Sequence, residues 1–295
     1  MERVPVSLLL EQGPMLKSFA GVIGRELVPF TIASENPDSF ADITAELATP
    51  SERLISHYME WAGCDKGRYS ASIPTHIFFQ LAMPLCIKQL AQSRYRLSKV
   101  INQGCRMTVI KPVPWETPVM AKVSVTSVRE VPGKARVSQT ISIYYDDELA
   151  AELQVQTLFP LSIASKRRNK LPETQASYSV IGHWSSNDHD GRDFALLSGD
   201  FNPIHWSRWV GKMSPFGTRV LHGMGTFIRS IEVLQNNLQA NIRDIDARFT
   251  APLKLPGGVN TLLHQLDSTA ANQQQVPLRL EDENGRLLML GSYQL

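Results

Sequence analysis

The sequence predicts an α+β fold built from one unit used twice, each unit a long apolar helix held in a curved antiparallel sheet. Three observations predict it. Residues 76–93 and 220–238 are helical in period and apolar over much of their circumference. Each is followed by segments in which apolar residues alternate, the period of half-buried strands. Between the two successions lies Ser165-Lys166-Arg167-Arg168-Asn169-Lys170-Leu171-Pro172, basic and almost free of apolar residues.

In chain order, residues 8–23 read as a helix and 29–50 as polar, interrupted chain. The first buried helix, 76–93, carries Ile77, Phe78, Leu81, Ala82, Leu85, Ile87 and Leu90, with Pro84 marking a kink or an early turn. The period then changes. Val119, Ala121, Val123 and Val125 alternate, Val131-Pro132-Gly133-Lys134 turns, and 137–145 alternates again. Asp146-Asp147-Glu148 turns once more before a third strand over 149–159. After the basic segment a turn-rich acidic stretch leads to the second helix. Strands follow near 246–252, 259–266, 276–280 and 287–295, with Asp282-Glu283-Asn284-Gly285 as a hairpin turn. Arg106-Met107-Thr108 with Pro114 aligns with Arg248-Phe249-Thr250 with Pro256 at a constant offset of 142 residues. The expected division is 1–164, a linker over 165–175, and 176–295.

Composition limits the function. With 295 residues, 43% hydrophobic and 20% charged, the chain can bury a substantial core. A net charge of +2 gives no footprint for nucleic acid. Cys64, Cys86 and Cys105 are odd in number and widely spaced, a pattern that argues against a disulfide framework or a zinc site. The apolar run at residues 6–10 is too short for a signal sequence or a bilayer span. A soluble cytoplasmic protein is expected.

The chemistry concentrates in Ser198-Gly199-Asp200-Phe201-Asn202-Pro203-Ile204-His205. Asn202 suits an N-cap and Pro203 a first helical position, which would place His205 in a first helical turn and Asp200 just before the cap. The helix dipole there would favour neutral imidazole. Leu221-His222-Gly223-Met224 opens the second apolar helix, whose first amides lack intrahelical partners. A glycine there lets a ligand approach the backbone. A carboxylate, an imidazole and an oxyanion-stabilising amide are what adding water to an activated double bond requires.

These residues resemble the signature of the MaoC-like dehydratases, the (R)-specific enoyl-CoA hydratases of the hotdog fold. That family carries Ala-x-x-Ser-Gly-Asp-x-Asn-Pro-x-His followed by His-Gly-Met before the central helix. The match is specific over 194–225; elsewhere it is architectural, to the two-hotdog members. The resemblance implies a double hotdog with Asp200 and His205 as the catalytic pair and the Gly223 amide on the thioester carbonyl. It also implies substrate contacts at Asn202, Phe216, His222 and Met224, and an acyl-CoA or acyl-carrier-protein thioester as substrate. No cofactor and no metal are implied, and a homodimer is compatible. The chain departs from the family pattern at Ser207, where an acidic residue is common, and at Arg219, where a proline is. The first half aligns Thr75-His76 with the second helix start but lacks the Asp/His motif, which implies one active site per chain and a degenerate first half.

Other features are expected to be structural. His183, Asp188, His189 and Asp190 could suggest a metal, but their order fits neither an EF-hand nor a HExxH site. Trp206, Trp209, Arg208, Lys212 and Arg219 suit either a mixed surface helix or the rim of a CoA or carrier-protein entrance. A hotdog thioesterase and a non-catalytic acyl-thioester binding module remain the competing functions.

Overall fold

A computed structural model describes residues 3–28, 32–161, 177–265 and 275–295. The expected linker, 165–175, with its basic run, lies outside the described residues. Ten strands form one antiparallel sheet: β1 Ile43–Leu47, β2 Ile101–Val109, β3 Val119–Val131, β4 Lys134–Tyr145, β5 Glu148–Pro160, β6 Tyr178–Ser185, β7 Asp244–Phe249, β8 Val259–Gln265, β9 Val276–Glu281 and β10 Leu287–Gln294. Six α-helices accompany them: α1 Gly13–Leu27, α2 Glu52–Ala62, α3 Phe78–Leu90, α4 Asp190–Ser198, α5 Arg208–Met213 and α6 Gly223–Leu238.

The strand order is β1-β3-β4-β5-β2-β7-β10-β9-β8-β6. Read outwards from the centre, each half repeats the same succession, so the predicted duplication is visible in the topology. The seam is the β2–β7 pair, where Gly104 faces Arg248, Cys105 faces Ala247 and Arg106 faces Asp246. Two residues related by the sequence offset, Cys105 and Ala247, face each other, and the pairs on either side exchange under it. A local two-fold therefore passes through the seam, and the expected α+β double hotdog is the observed fold.

Several elements differ from the sequence expectation. The 29–50 stretch contains β1, and α2 follows it, capped by the Ser51 hydroxyl, which accepts from the Leu54 amide at 3.0 Å. The acidic stretch before Asp200 is β6 and α4 rather than turns. The second central helix starts at Gly223, not at 220, because Val220 and Leu221 are held against the 253–255 segment. The first central helix begins with a 3-10 turn at Thr75–Ile77, and Pro84 lies inside α3.

Both central helices are buried between sheet and neighbouring helices, and they touch through Phe79 and Phe227, edge to face at 6.0 Å. The longer of them, α6, also buries charge. Arg229 makes a two-pronged pair with Asp190, each contact 2.8 Å, and donates from Nε to the Trp61 carbonyl at 3.1 Å. Its guanidinium lies 4.0 Å from the Trp61 ring centroid. Asp190 in turn accepts from the Asn187 amide at 2.8 Å. This fork fixes the start of α4 against the middle of α6. Replacing Asp190 by Ala strands a buried guanidinium, and urea unfolding should show a loss of about 3–5 kcal/mol.

Candidate active site

The site forms where the end of α4, the turn after it and the start of α6 converge. Helix α4 stops because Gly199 takes a left-handed conformation, φ 75°, which a side chain resists. A β-carbon at Gly199 would also stand 2.6 Å from Met15 Cβ. The N-terminal segment thus packs on this loop. Gln12 Nε2 donates to the Leu196 and Leu197 carbonyls at 3.1 and 3.2 Å, satisfying two of the orphan acceptors at the end of α4.

Past Gly199 the chain makes side-chain-to-backbone turns. Asp200 Oδ1 accepts from the Asn202 amide at 3.2 Å, and Asn202 Oδ1 accepts from the Ile204 amide at 3.3 Å. Asn202 shapes the turn rather than capping a helix. Residues 203–206 form a turn, and the helix that follows, α5, begins at Arg208 with Ser207 as its cap. His205 is therefore not in a first helical turn, and the helix dipole does not act on it.

Other forces set the His205 imidazole. Its Nδ1 lies 2.7 Å from the Val220 carbonyl, which can only accept, so Nδ1 carries the proton and Nε2 the lone pair. Burial lowers the His205 pKa, against the opposing pull of Asp200 and the Val220 carbonyl. The Val220 carbonyl is positioned by backbone pairing: the neighbouring Leu221 amide donates to Leu253 at 2.8 Å, and Val220 bridges Lys254.

His222 is the other imidazole. It is buried, at 3% exposure, and donates from Nε2 to the Asp200 carbonyl at 3.0 Å. Its Nε2 is also 3.9 Å from Asp200 Oδ2. Its ring stacks on His205 at 3.6 Å between centroids and lies 5.0 Å from Phe194. Burial, then the adjacent His205, push its pKa down to about 3. Its Nδ1 has no hydrogen-bond partner among the described residues.

Asp200, His205 and His222 offer polar atoms all within 4.8 Å of one another, and the Asp200 side chain is 37% exposed. Gly223 follows directly as the first residue of α6. A β-carbon there would stand 2.9 Å from the Phe249 ring, so packing alone favours glycine at this position. The other expected contacts are more dispersed. Met224 is buried in the core, and Phe216 is half-buried on the loop after α5. No hydrogen bond or ring contact joins Phe216 to the Asp200, His205 and His222 group among the described residues.

At the rim, Trp209 is 78% and Trp206 42% exposed. Arg208, Lys212 and Arg219 line an open groove of about 450 Å³ with Asp188, Thr218 and Pro256. Asp188 pairs with Arg208 at 2.7 Å and with the buried Arg219. Asp188, Asp190, His189 and His183 are each engaged by protein groups: Asp188 here, Asp190 with Arg229, His189 with Arg3 at 2.9 Å, and His183 with Thr261 at 3.2 Å.

The class defined by fold and site is a two-hotdog protein with one carboxylate–imidazole pair beside a central-helix N-terminus. Residues 165–282 match the family model described as MaoC like domain. The match falls on the C-terminal part of the chain, where the motif of residues 194–225 lies. Among solved structures it is similar to HtdX of Mycobacterium tuberculosis, TM-score 0.70 at 17% identity, covering 86% of this chain and 100% of that one. It is also similar to a MaoC-like dehydratase from Phytophthora capsici, TM-score 0.63 at 14% identity, covering 86% and 95%. A third similar structure is a conserved hypothetical protein of Mycobacterium tuberculosis described as a double hotdog, TM-score 0.57 at 11% identity, covering 90% and 100%. No curated protein sequence matches the chain. These likenesses support the fold, and the family match supports a hydratase or dehydratase class of reaction. Among the described residues, no helix is long and apolar enough to cross a membrane.

The two depressed histidines make stability depend on pH. Both have folded pKa values below the unfolded value of about 6.5, so protonation is coupled to unfolding. Stability is full above that value and falls as pH drops towards the folded values, by up to about 1.4 kcal/mol per pH unit for each histidine. Urea midpoints at pH 7, 6 and 5 should fall less steeply in His222→Asn than in the wild type. Equal slopes would show that His222 is not held neutral.

Proposed function

We propose that the chain catalyses the reversible hydration of a trans-2-enoyl thioester to the (R)-3-hydroxyacyl thioester. The observation that carries this reading is the tautomer of His205. The Val220 carbonyl commits Nδ1 as donor and leaves Nε2 as a base, close to the Asp200 carboxylate. In hydration, water gives a proton to this pair while its oxygen bonds to the β-carbon. The π electrons move towards the thioester oxygen, which the Gly223 amide stabilises. The proton is then delivered to the α-carbon, so no net proton is consumed. Dehydration reverses each step.

The same reading assigns the remaining parts. Asn202 shapes the turn that aims Asp200, and His222 fixes the Asp200 backbone. The basic groove with Trp206 and Trp209 takes the anionic carrier, CoA or an acyl-carrier protein. The division into a degenerate unit over 1–164, a linker over 165–175 and a catalytic unit over 176–295 belongs to this proposal, as do a cytoplasmic location and a homodimer. The absence of an Asp/His motif before residue 164 supports one site per chain.

Purified protein mixed with short- and long-chain trans-2-enoyl-CoA should consume the conjugated thioester absorbance and yield the (R)-hydroxy product. Asp200→Asn and His205→Ala should each lower turnover by roughly 10²–10⁴-fold while the protein stays folded. Retained activity in both would remove the assignment. Free thiol release would report a thioesterase instead, and tight acyl-CoA binding without turnover a binding module. Because hydration needs neutral His205, and burial lowers its pKa, the acid limb of kcat/KM should lie below about pH 6.5.

A further inference from the structure

A second cluster of donor side chains lies away from Asp200, between the two halves. Cys64 follows α2, His76 sits in the 3-10 turn before α3, and Glu232 is in the middle of α6. Their donor atoms all lie within 4.8 Å of one another. Some point between them therefore lies within about 2.8 Å of all three. Zinc–ligand distances are about 2.0–2.3 Å, so small side-chain shifts suffice to close the gap.

The hydrogen bonding among the described residues leaves one carboxylate oxygen of this cluster without a partner. Glu232 is fully buried at 0% exposure, and His76 is 1% exposed. Oε1 of Glu232 accepts from Tyr69 OH at 2.6 Å and Gln235 Nε2 at 3.1 Å and lies 2.8 Å from His76 Nε2, and the Cys64 thiol also hydrogen-bonds to this carboxylate. Oε2 has no hydrogen-bond partner among the described residues. Arg68 donates to the Gln235 and Ala240 carbonyls and to Asn241. A fully buried carboxylate oxygen without a partner is costly unless a cation faces it. On the far side of the ring, Tyr58 OH is 2.8 Å from His76 Nδ1. That contact orients the imidazole from behind, as an outer partner does for a metal-bound histidine.

We propose that Cys64, His76 and Glu232 form a structural site for a divalent cation of the zinc class, joining the first half of the chain to α6. Sulfur, imidazole and carboxylate donors together suit zinc better than magnesium or calcium. Binding forms the metal–sulfur bond and releases the Cys64 thiol proton to solvent. His76 binds through Nε2, its remaining N–H donating to Tyr58, and Glu232 uses the free Oε2. The cysteine spacing does not reveal such a site, because its donors come from three elements and only one is a cysteine.

Cobalt(II) is the probe. It occupies zinc sites and shows a thiolate-to-metal charge-transfer band only when a cysteine sulfur is bound. The full-length protein, stripped of metal, should take up one equivalent of Co(II), develop that band, and lose it on adding Zn(II). Thermal unfolding should shift upwards with Zn(II). Cys64→Ser should abolish the band, and Glu232→Gln, which keeps the volume and the Tyr69 contact, should weaken binding at least tenfold. Asp200→Asn should keep the band, because the Asp200, His205 and His222 group contains no sulfur. Absence of the band in the wild type overturns the site, whatever the variants do. So does a band that survives Cys64→Ser, or Co(II) binding without a thiolate signal. None of these outcomes bears on the hydration assay, so the two proposals fail separately.

Discussion

The structure depends on one helix that is both apolar and charged. Helix α6 is buried along almost its whole length, yet it carries Arg229 and Glu232 at 4% and 0% exposure. Neither charge can stay unpaired at that depth without costing several kcal/mol. Their partners come from different parts of the chain: Asp190 on α4, the Trp61 carbonyl and ring at the end of α2, and His76 and Tyr69 from the first half. A purely apolar helix could slide or rotate in a sheet's concave face with little penalty. This one has a single axial position at which both charges are met, and that position sets where Gly223 and His222 emerge.

The local two-fold makes the asymmetry of the two halves informative. The strand order is the same on both sides of the seam, and each half presents a histidine at the start of its central helix, His76 and His222. Their environments have diverged. His222 stacks on His205 and bonds the Asp200 backbone, so it belongs to the Asp200–His205 group. His76 is committed on one nitrogen to Tyr58 and on the other to Glu232 of the opposite half. His76 thus lies in the joint that holds the second half's helix.

Much of this was legible in the sequence, and the failures have physical causes. The strands over 119–160 alternate because one face is buried and the other wet, so the pattern announces them. Strand β6 does not, since only Trp184 along it is buried and its edge position demands little alternation. Helix α4 begins Asp-Gly-Arg-Asp, poor in helix propensity, and is held by the Arg229 fork and by Gln12, contacts that span 39 and 184 positions. The Asn-Pro step was read as a helix start because side-chain chemistry alone does not separate a cap from a turn. Asp200 and His205 were legible because their chemistry is local; the Val220 carbonyl that fixes the His205 tautomer was not, because a backbone acceptor has no residue type. Gln12 had only the weak signal of one amide closing an apolar run.

The corrected placement of His205 changes the physics of the pair. A helix dipole would have favoured neutral imidazole by a field that solvent and salt weaken. Burial and a backbone acceptor act at contact range and are not screened in that way. The stacked His222 adds a constraint of its own. Two imidazoles 3.6 Å apart, face to face, resist simultaneous protonation, and His222 is held neutral more strongly of the two. His205 thus presents an unprotonated Nε2 beside the Asp200 carboxylate, while His222 keeps the loop in position. The division of labour follows from which ring nitrogen faces a carbonyl and how deeply each ring is buried, and it would survive large changes in the surrounding sheet provided that the charges on α6 kept their partners.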